Sequence, residues 1–189
     1  MLIDDLVHPD VLDPTGNLAA NDAHIDALLE LVAGQVAGGI AGKQLLEVGC
    51  SDGWNLLNAV DRGAAVWGVD PSAALLWLGR DRLPDADFRL GSPEELPFDS
   101  GSFDIVCRFG IAIDGRELAA SVGEMARVCR RGGVIAVTVT GEDDEDARQR
   151  AAAVVRIAAN LGVAATLFDT AARLSNVETV PVMGVILTR

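Results

Sequence analysis

Residues Leu45 to Gly53 read Leu-Leu-Glu-Val-Gly-Cys-Ser-Asp-Gly, and Asp70 closes a second apolar run seventeen positions later. Apolar residues crowd Gln44–Val48, as in a strand covered on both faces. The small-residue turn that follows opens a helix at Asp52 or Gly53, with Leu56, Leu57 and Val60 facing inward and Gly63 ending it. A second strand, Ala64–Val69, then runs into the acid. Strand, glycine turn, helix and strand in that order commit this stretch to a parallel sheet, because a crossover helix must lie on the sheet's face.

The alternation continues along the chain. Residues 1–16 are punctuated by Asp and Pro and read as an irregular arm. Asn21 or Asp22 can cap a helix running to about Ala37, with Ile25, Leu28, Leu29 and Val32 on one face. Ser72 can cap the helix carrying Leu75, Leu76 and Leu78, and Phe88–Leu90 is a short third strand. A turn-rich stretch leads to a fourth strand, Phe103–Phe109. Asp114 can cap a helix from about Arg116 to Arg130, stopped by Gly132 and Gly133, so that Arg130 and Arg131 complement its C-terminus. Strands at Val134–Thr140, Val163–Phe168 and Val182–Thr188 follow, with a helix between the first two that starts in the acidic cluster Glu142 to Asp146. The expected class is α/β, a doubly wound and mostly parallel sheet in one domain over 1–189. Residues 1–42 form an arm and helix covering the substrate side, 43–141 a cofactor-binding half, and 142–189 a C-terminal helix and strand pair.

Composition removes several function classes. The formal net charge is −13, which repels nucleic-acid backbones and anionic lipid surfaces. No apolar run reaches membrane-spanning length, and the N-terminus lacks the basic-then-apolar order of a signal peptide. The expectation is a cytoplasmic protein with no nucleic-acid or membrane partner. Cys50, Cys107 and Cys129 are widely spaced and read as buried free thiols. No His, Asp or Glu set has metal-ligand spacing, so no metal is expected. One lysine stands against fourteen arginines, the bias of a high-GC bacterial genome.

In sheets of this kind ligands sit beyond the C-terminal strand ends, where strand order reverses. Glu47 to Gly53 lies there. Gly49 and Gly53 allow close backbone approach. The helix beginning near Gly53 offers free N–H groups, and Asp70 can accept from both hydroxyls of a ribose. A nicotinamide site also combines a glycine turn with a distant acid. It requires G-x-G-x-x-G and room for a pyrophosphate, however, and here Asp52 stands in the turn.

Several segments together resemble the class I S-adenosylmethionine-dependent methyltransferases, especially the small-molecule group that includes the ubiquinone- and menaquinone-biosynthesis enzymes. They are Leu46 to Gly53, Val69-Asp70-Pro71-Ser72, Glu94 to Val106 with its Leu96-Pro97-Phe98-Asp99 core, and Glu124 to Val137 with Arg127-Val128-Cys129-Arg130-Arg131-Gly132-Gly133. They cover about half the chain. The resemblance implies a seven-stranded Rossmann-like sheet with an antiparallel last strand, S-adenosylmethionine as cofactor and a small-molecule methyl acceptor. It places Glu47 at the methionine amino end, Gly49, Cys50, Ser51 and Gly53 around methionine and ribose, and Asp70 with Pro71 at the ribose. Ser92 and Pro93 fall where the family commonly binds adenine through an aspartate or asparagine, and Arg108 and Phe109 fall beside the sulfonium. Ser51 replaces the usual middle glycine and Ser92 the adenine acid. Arg108, a cation, is expected to point at a carboxylate of the protein or the substrate.

Methyl transfer needs alignment and exclusion of water, and a hydroxyl acceptor also needs a base. His24 is the first candidate among His8, His24, Asp22, Asp26 and Asp114, and an anionic acceptor would need none. Arg108 is the second candidate catalytic residue. Trp54 could pack over the cofactor or line the substrate mouth, whereas Trp67 and Trp77 read as core or partly buried. The cap over the cleft is small, so the substrate covers it or a second copy or partner subunit completes the lid. The alternative function is a protein of the same fold that binds the cofactor or its product but performs a non-methylating reaction, such as a cyclisation, or an accessory role.

Overall fold

The computed structural model describes residues 18–111, 115–169 and 182–189. The elements, in chain order, are α1 (Leu18–Gln35), β1 (Gln44–Val48), α2 (Trp54–Asp61), β2 (Ala65–Asp70), α3 (Ala73–Arg82), β3 (Asp87–Leu90), β4 (Phe103–Ile111), α4 (Gly115–Val128), β5 (Cys129–Thr140), α5 (Asp144–Asn160), β6 (Ala164–Asp169) and β7 (Val182–Thr188). The seven strands form one sheet in the order β3-β2-β1-β4-β5-β7-β6. Pairing is parallel from β3 to β5. β7 runs antiparallel to both β5 and β6. The expected doubly wound, mostly parallel sheet with an antiparallel last strand is therefore present. Its order reverses between β1 and β4, which opens a crevice at their C-terminal ends.

Alternate residues of each strand serve two cores. Leu45, Ile105, Cys107, Val134 and Ala136 pack with Ile25, Leu28, Leu29 and Val32 of α1 and with Leu56 and Leu76 of α2 and α3. Leu46, Val48, Val106, Ile135 and Val137 pack on the opposite face with Leu118, Val122 and Met125 of α4 and Val154 of α5. This double coverage is why the strands read as nearly unbroken apolar runs. Glu47 shares the pleat direction of Leu45, toward α1–α3, whereas Arg108 shares that of Val106, toward α4.

Helix starts follow local chemistry. The Ser72 hydroxyl accepts from the Leu75 N–H at 3.4 Å, and the Asp143 carboxylate from the Asp146 N–H at 2.8 Å. Three expectations are corrected. α1 begins at Leu18, so Asn21 and Asp22 lie inside it and do not cap it. α4 ends at Val128, and Cys129 already pairs with Phe103 as the start of β5. Arg130 consequently bonds the Asp104 carboxylate at 2.6 Å, which draws it into the sheet and away from a helix terminus. Trp77 is 60 % exposed on α3 and is not core. Trp67 is half-buried and meets Phe103 edge-on, with ring centroids 5.5 Å apart. Among the described residues no helix is long and apolar enough to cross a membrane.

Candidate active site

The loop between β1 and α2 is latched to the end of β2. Gly49 and Cys50 donate their N–H groups to the Val69 carbonyl at 2.8 and 3.1 Å. Asp70 then takes the Ser51 N–H on Oδ2 at 2.9 Å and the Ser72 N–H on Oδ1 at 2.8 Å. An ionised carboxylate has about four acceptor positions, so the latch leaves two free. Ser51 adopts φ 52°, the one non-glycine residue with positive φ among those described. That conformation costs a side-chain-bearing residue roughly 1–2 kcal/mol, which explains why glycine suits this position. At Gly49 a Cβ would meet nothing within 4 Å, so the loop's outer surface faces open space.

Behind the loop the packing is close. A Cβ on Gly53 would lie 2.7 Å from the Phe88 ring, and Gly53 has φ 74° as well. Arg82 of α3 reaches the Asp52 carboxylate at 2.6 Å and stands over the Trp54 ring at 4.8 Å. Asp52, which argues against a diphosphate in this turn, is thus ion-paired from the rear, and its charge still reaches Glu47. Trp54 lies against Arg82, and Cys50 is buried, its thiol donating to the Ser51 carbonyl at 3.7 Å.

Glu47 sits beneath this loop, 1 % exposed. Its Oε1 accepts from Asn55 Nδ2 of α2 at 2.8 Å, while its Oε2 is buried with no hydrogen-bond partner. Burial pushes its pKa from 4.5 up to about 8, the Asn55 bond opposes the rise, and the charges of Asp52 and Asp70 add to it. A buried acceptor without a donor costs about 1–3 kcal/mol. Such a group, beside two further carboxylates, suits a ligand that brings a cation.

The other rim of the crevice is the turn after β3. The Gly91 N–H bonds the Asp70 carbonyl at 3.2 Å. The Ser92 hydroxyl donates to the Glu94 carboxylate and accepts the Glu94 N–H at 3.1 Å. The chain then reaches α4, where Glu124 accepts the Leu96 N–H at 2.8 Å and Arg127 donates to the Leu96 and Phe98 carbonyls at 3.0 and 2.8 Å. Arg108 donates to the Ser121 hydroxyl of α4. Burial lowers its pKa, and the charge of Glu94 offsets part of that fall.

The structure gathers Glu47, Gly49, Cys50, Ser51, Gly53, Asp70 and Pro71 at one place and sets Ser92 and Pro93 on the adjoining rim. Arg108 was expected at the end of the fourth strand, but β4 runs on to Ile111, so Arg108 lies within it; its side chain takes the α4 face, opposite Glu47. Asp26 is committed to Arg62 at 2.9 Å, with Glu30 sharing the same guanidinium at 3.2 Å. His24 falls on α1 with its side chain outside those described, and His8 and Asp114 lie outside the described residues. Sequence reasoning missed Asn55 and Arg82. Each is one turn or one helix away from the motif, and only the fold brings it there.

Residues 46–137 match the family described as "Methyltransferase domain". Over this segment the chain is similar to methyltransferase domains. A probable S-adenosylmethionine-dependent methyltransferase of Mycolicibacterium smegmatis is 35 % identical over 109 residues, 58 % of this chain and 42 % of that protein. The demethylmenaquinone methyltransferase of Renibacterium salmoninarum is 35 % identical over 101 residues, 53 % of this chain and 42 % of that one. The chain thus spans about two-fifths of the length of these relatives. A solved protein from Pyrococcus horikoshii superposes over 100 % of both chains with a TM-score of 0.72 at 16 % identity, which speaks for the fold alone.

Proposed function

We propose that the crevice binds S-adenosylmethionine and that the protein transfers its methyl group to an O, N or C atom of a small molecule. Glu47 carries this reading: a buried, unpartnered carboxylate oxygen is the natural counterpart of the ligand's ammonium group. When bound, S-adenosylmethionine supplies a methyl on a cationic sulfur. Glu47 would take the amino end, and Asp52 and Asp70 would add negative potential around it. Gly49, Cys50, Ser51 and Gly53 would follow the methionine and sugar with their backbone, and Asp70 would accept the ribose hydroxyls with the positions its latch leaves open. Pro71 would border the sugar, and Ser92 and Pro93 the base.

Arg108 is turned toward Ser121 of α4, so we assign it to positioning that side of the crevice and to no step at the methyl group. His24 on α1 is our choice of base for a hydroxyl acceptor; α1 packs over α2, whose N-terminus adjoins the loop. A second copy or a partner subunit would complete the cover over the cleft, with residues 1–42 contributing on the substrate side. The relatives' names, a menaquinone precursor among them, support a small-molecule acceptor.

Isothermal titration with S-adenosylhomocysteine tests the binding. The wild type should bind, and Asp70→Ala should weaken binding at least about tenfold, since hydrogen bonds to a charged group are lost. Absence of wild-type binding would overturn the proposal. A methyl-labelled donor then separates the two functions: label in the product marks methyl transfer, and an unlabelled product marks the non-methylating alternative.

A further inference from the structure

Among the described residues Arg62, Arg82, Arg127, Arg130 and Arg150 are half-buried, and each holds a carboxylate at 2.6 to 3.2 Å. Arg108 is half-buried too, yet no described carboxylate is paired with it. Its hydrogen bond goes to the Ser121 hydroxyl of α4, on a fully buried residue. Glu94 is felt there only as a charge and is bonded to Ser92 instead. A guanidinium is a fork of several N–H donors and stays charged in proteins. Ser121 occupies a single donor. The rest reach open space, because Glu47 Oε2 is the one buried side-chain polar atom without a partner among the described residues.

The backbone sets this cation at the crevice. Glu47 of β1 is in register with Cys107 of β4, so Arg108 stands one step nearer the C-terminal strand ends, on the other face. Just beyond it the β4–β5 register shifts between Arg108 and Ile111. Gly110 there takes φ 67° and gives its N–H to the Thr138 hydroxyl at 2.8 Å. A bulge of this kind ends regular pairing and re-aims side chains. The crevice thus has a lone acceptor on one face and a lone cation on the other.

We propose that Arg108 receives an oxyanion, a carboxylate or a phosphate, carried by the methyl acceptor, and so selects acidic acceptors. This rests on the reading of the crevice as the S-adenosylmethionine site. The cofactor's own carboxylate shares a carbon with its amine, so an amine at Glu47 keeps that carboxylate on the opposite face from Arg108. The second reactant then comes from the β4 side. A net charge of −13 opposes an acidic acceptor only through screened surface charge. Arg108 acts at contact, beside the buried Val106 and Val137, where a charge-assisted fork is strongest.

The test is an NMR titration at constant ionic strength, with the protein saturated in S-adenosylhomocysteine. The probes are benzoate, its neutral isostere benzamide, and inorganic phosphate. The wild type should bind benzoate at least about tenfold more tightly than benzamide, and phosphate should compete with benzoate. The Arg108 Nε–H resonance should shift with benzoate and not with benzamide, a readout that needs no variant. Arg108→Gln should weaken benzoate at least about tenfold. Ser121→Ala keeps the cation and should stay within about threefold of the wild type. Circular dichroism melting checks that both variants fold, and calorimetry should show their S-adenosylhomocysteine affinity unchanged. The proposal is overturned if benzamide binds as well as benzoate, if neither binds, or if Arg108→Gln keeps the wild-type benzoate affinity. It is overturned equally if Ser121→Ala loses as much as Arg108→Gln, which would make the effect one of α4 packing. Loss of S-adenosylhomocysteine affinity in Arg108→Gln, with benzoate unaffected, would give the guanidinium to the cofactor's carboxylate and overturn it too. In all these cases the wild type still binds S-adenosylhomocysteine. If it does not, the cofactor reading fails and this proposal falls with it.

Discussion

Glu47 gives the crevice a pH dependence of defined sign. Its folded pKa of about 8 lies above the 4.5 of a free side chain, so the folded protein holds this proton more tightly than the unfolded chain does. Its contribution to stability is therefore fully present below pH 4.5 and is lost as pH rises through about 8. Glu47→Gln keeps an acceptor for Asn55 and removes the ionisation. The ligand-free variant should melt higher than the wild type at roughly pH 8, with a flatter stability profile between about pH 5 and 9, and it should bind the cofactor less well. Equal melting temperatures at both ends of that range would refute the burial argument. Ser51 is the complementary case. Its small side chain was visible in the sequence, but the need for positive φ was not, because that need comes from the two N–H bonds around it. Asp70 was legible as an acid at a strand end. Its two backbone partners were not, since they exist only once the loop has folded onto it.

At the scale of elements, apolar runs located the strands among the described residues, because the central ones are covered on both faces. Boundaries slipped where backbone pairing outran the pattern. Cys129, Arg130 and Arg131 read as the end of a helix, yet β5 captures them beside β4, and the bulge between Cys129 and Val134 absorbs the mismatch. The tight contact of β2, β3 and the loop around Phe88 was equally hidden. A Cβ at Gly68 would sit 2.6 Å from the Cys50 sulfur and 2.7 Å from the Phe88 ring. Gly68→Ala should therefore destabilise the protein by about 1–3 kcal/mol, read as a lower urea midpoint with an unchanged slope. A shift within error would mean that Phe88 rotates away freely.

For the whole molecule, the charge of −13 is a field as well as an exclusion. Under the proposed function it attracts a cofactor that carries a sulfonium more than a product that has lost it. Raising NaCl from about 20 to about 300 mM should weaken S-adenosylmethionine binding more than S-adenosylhomocysteine binding, because screening acts on the extra charge. Parallel losses for both ligands would show that the local contacts decide and the global field does not.

The latch at Asp70 has a kinetic consequence. Because the loop is fastened during folding, an arriving molecule meets a finished cradle and does not have to organise one. Encounter should then be rapid and single-phased, with ligands sorted by how long they stay.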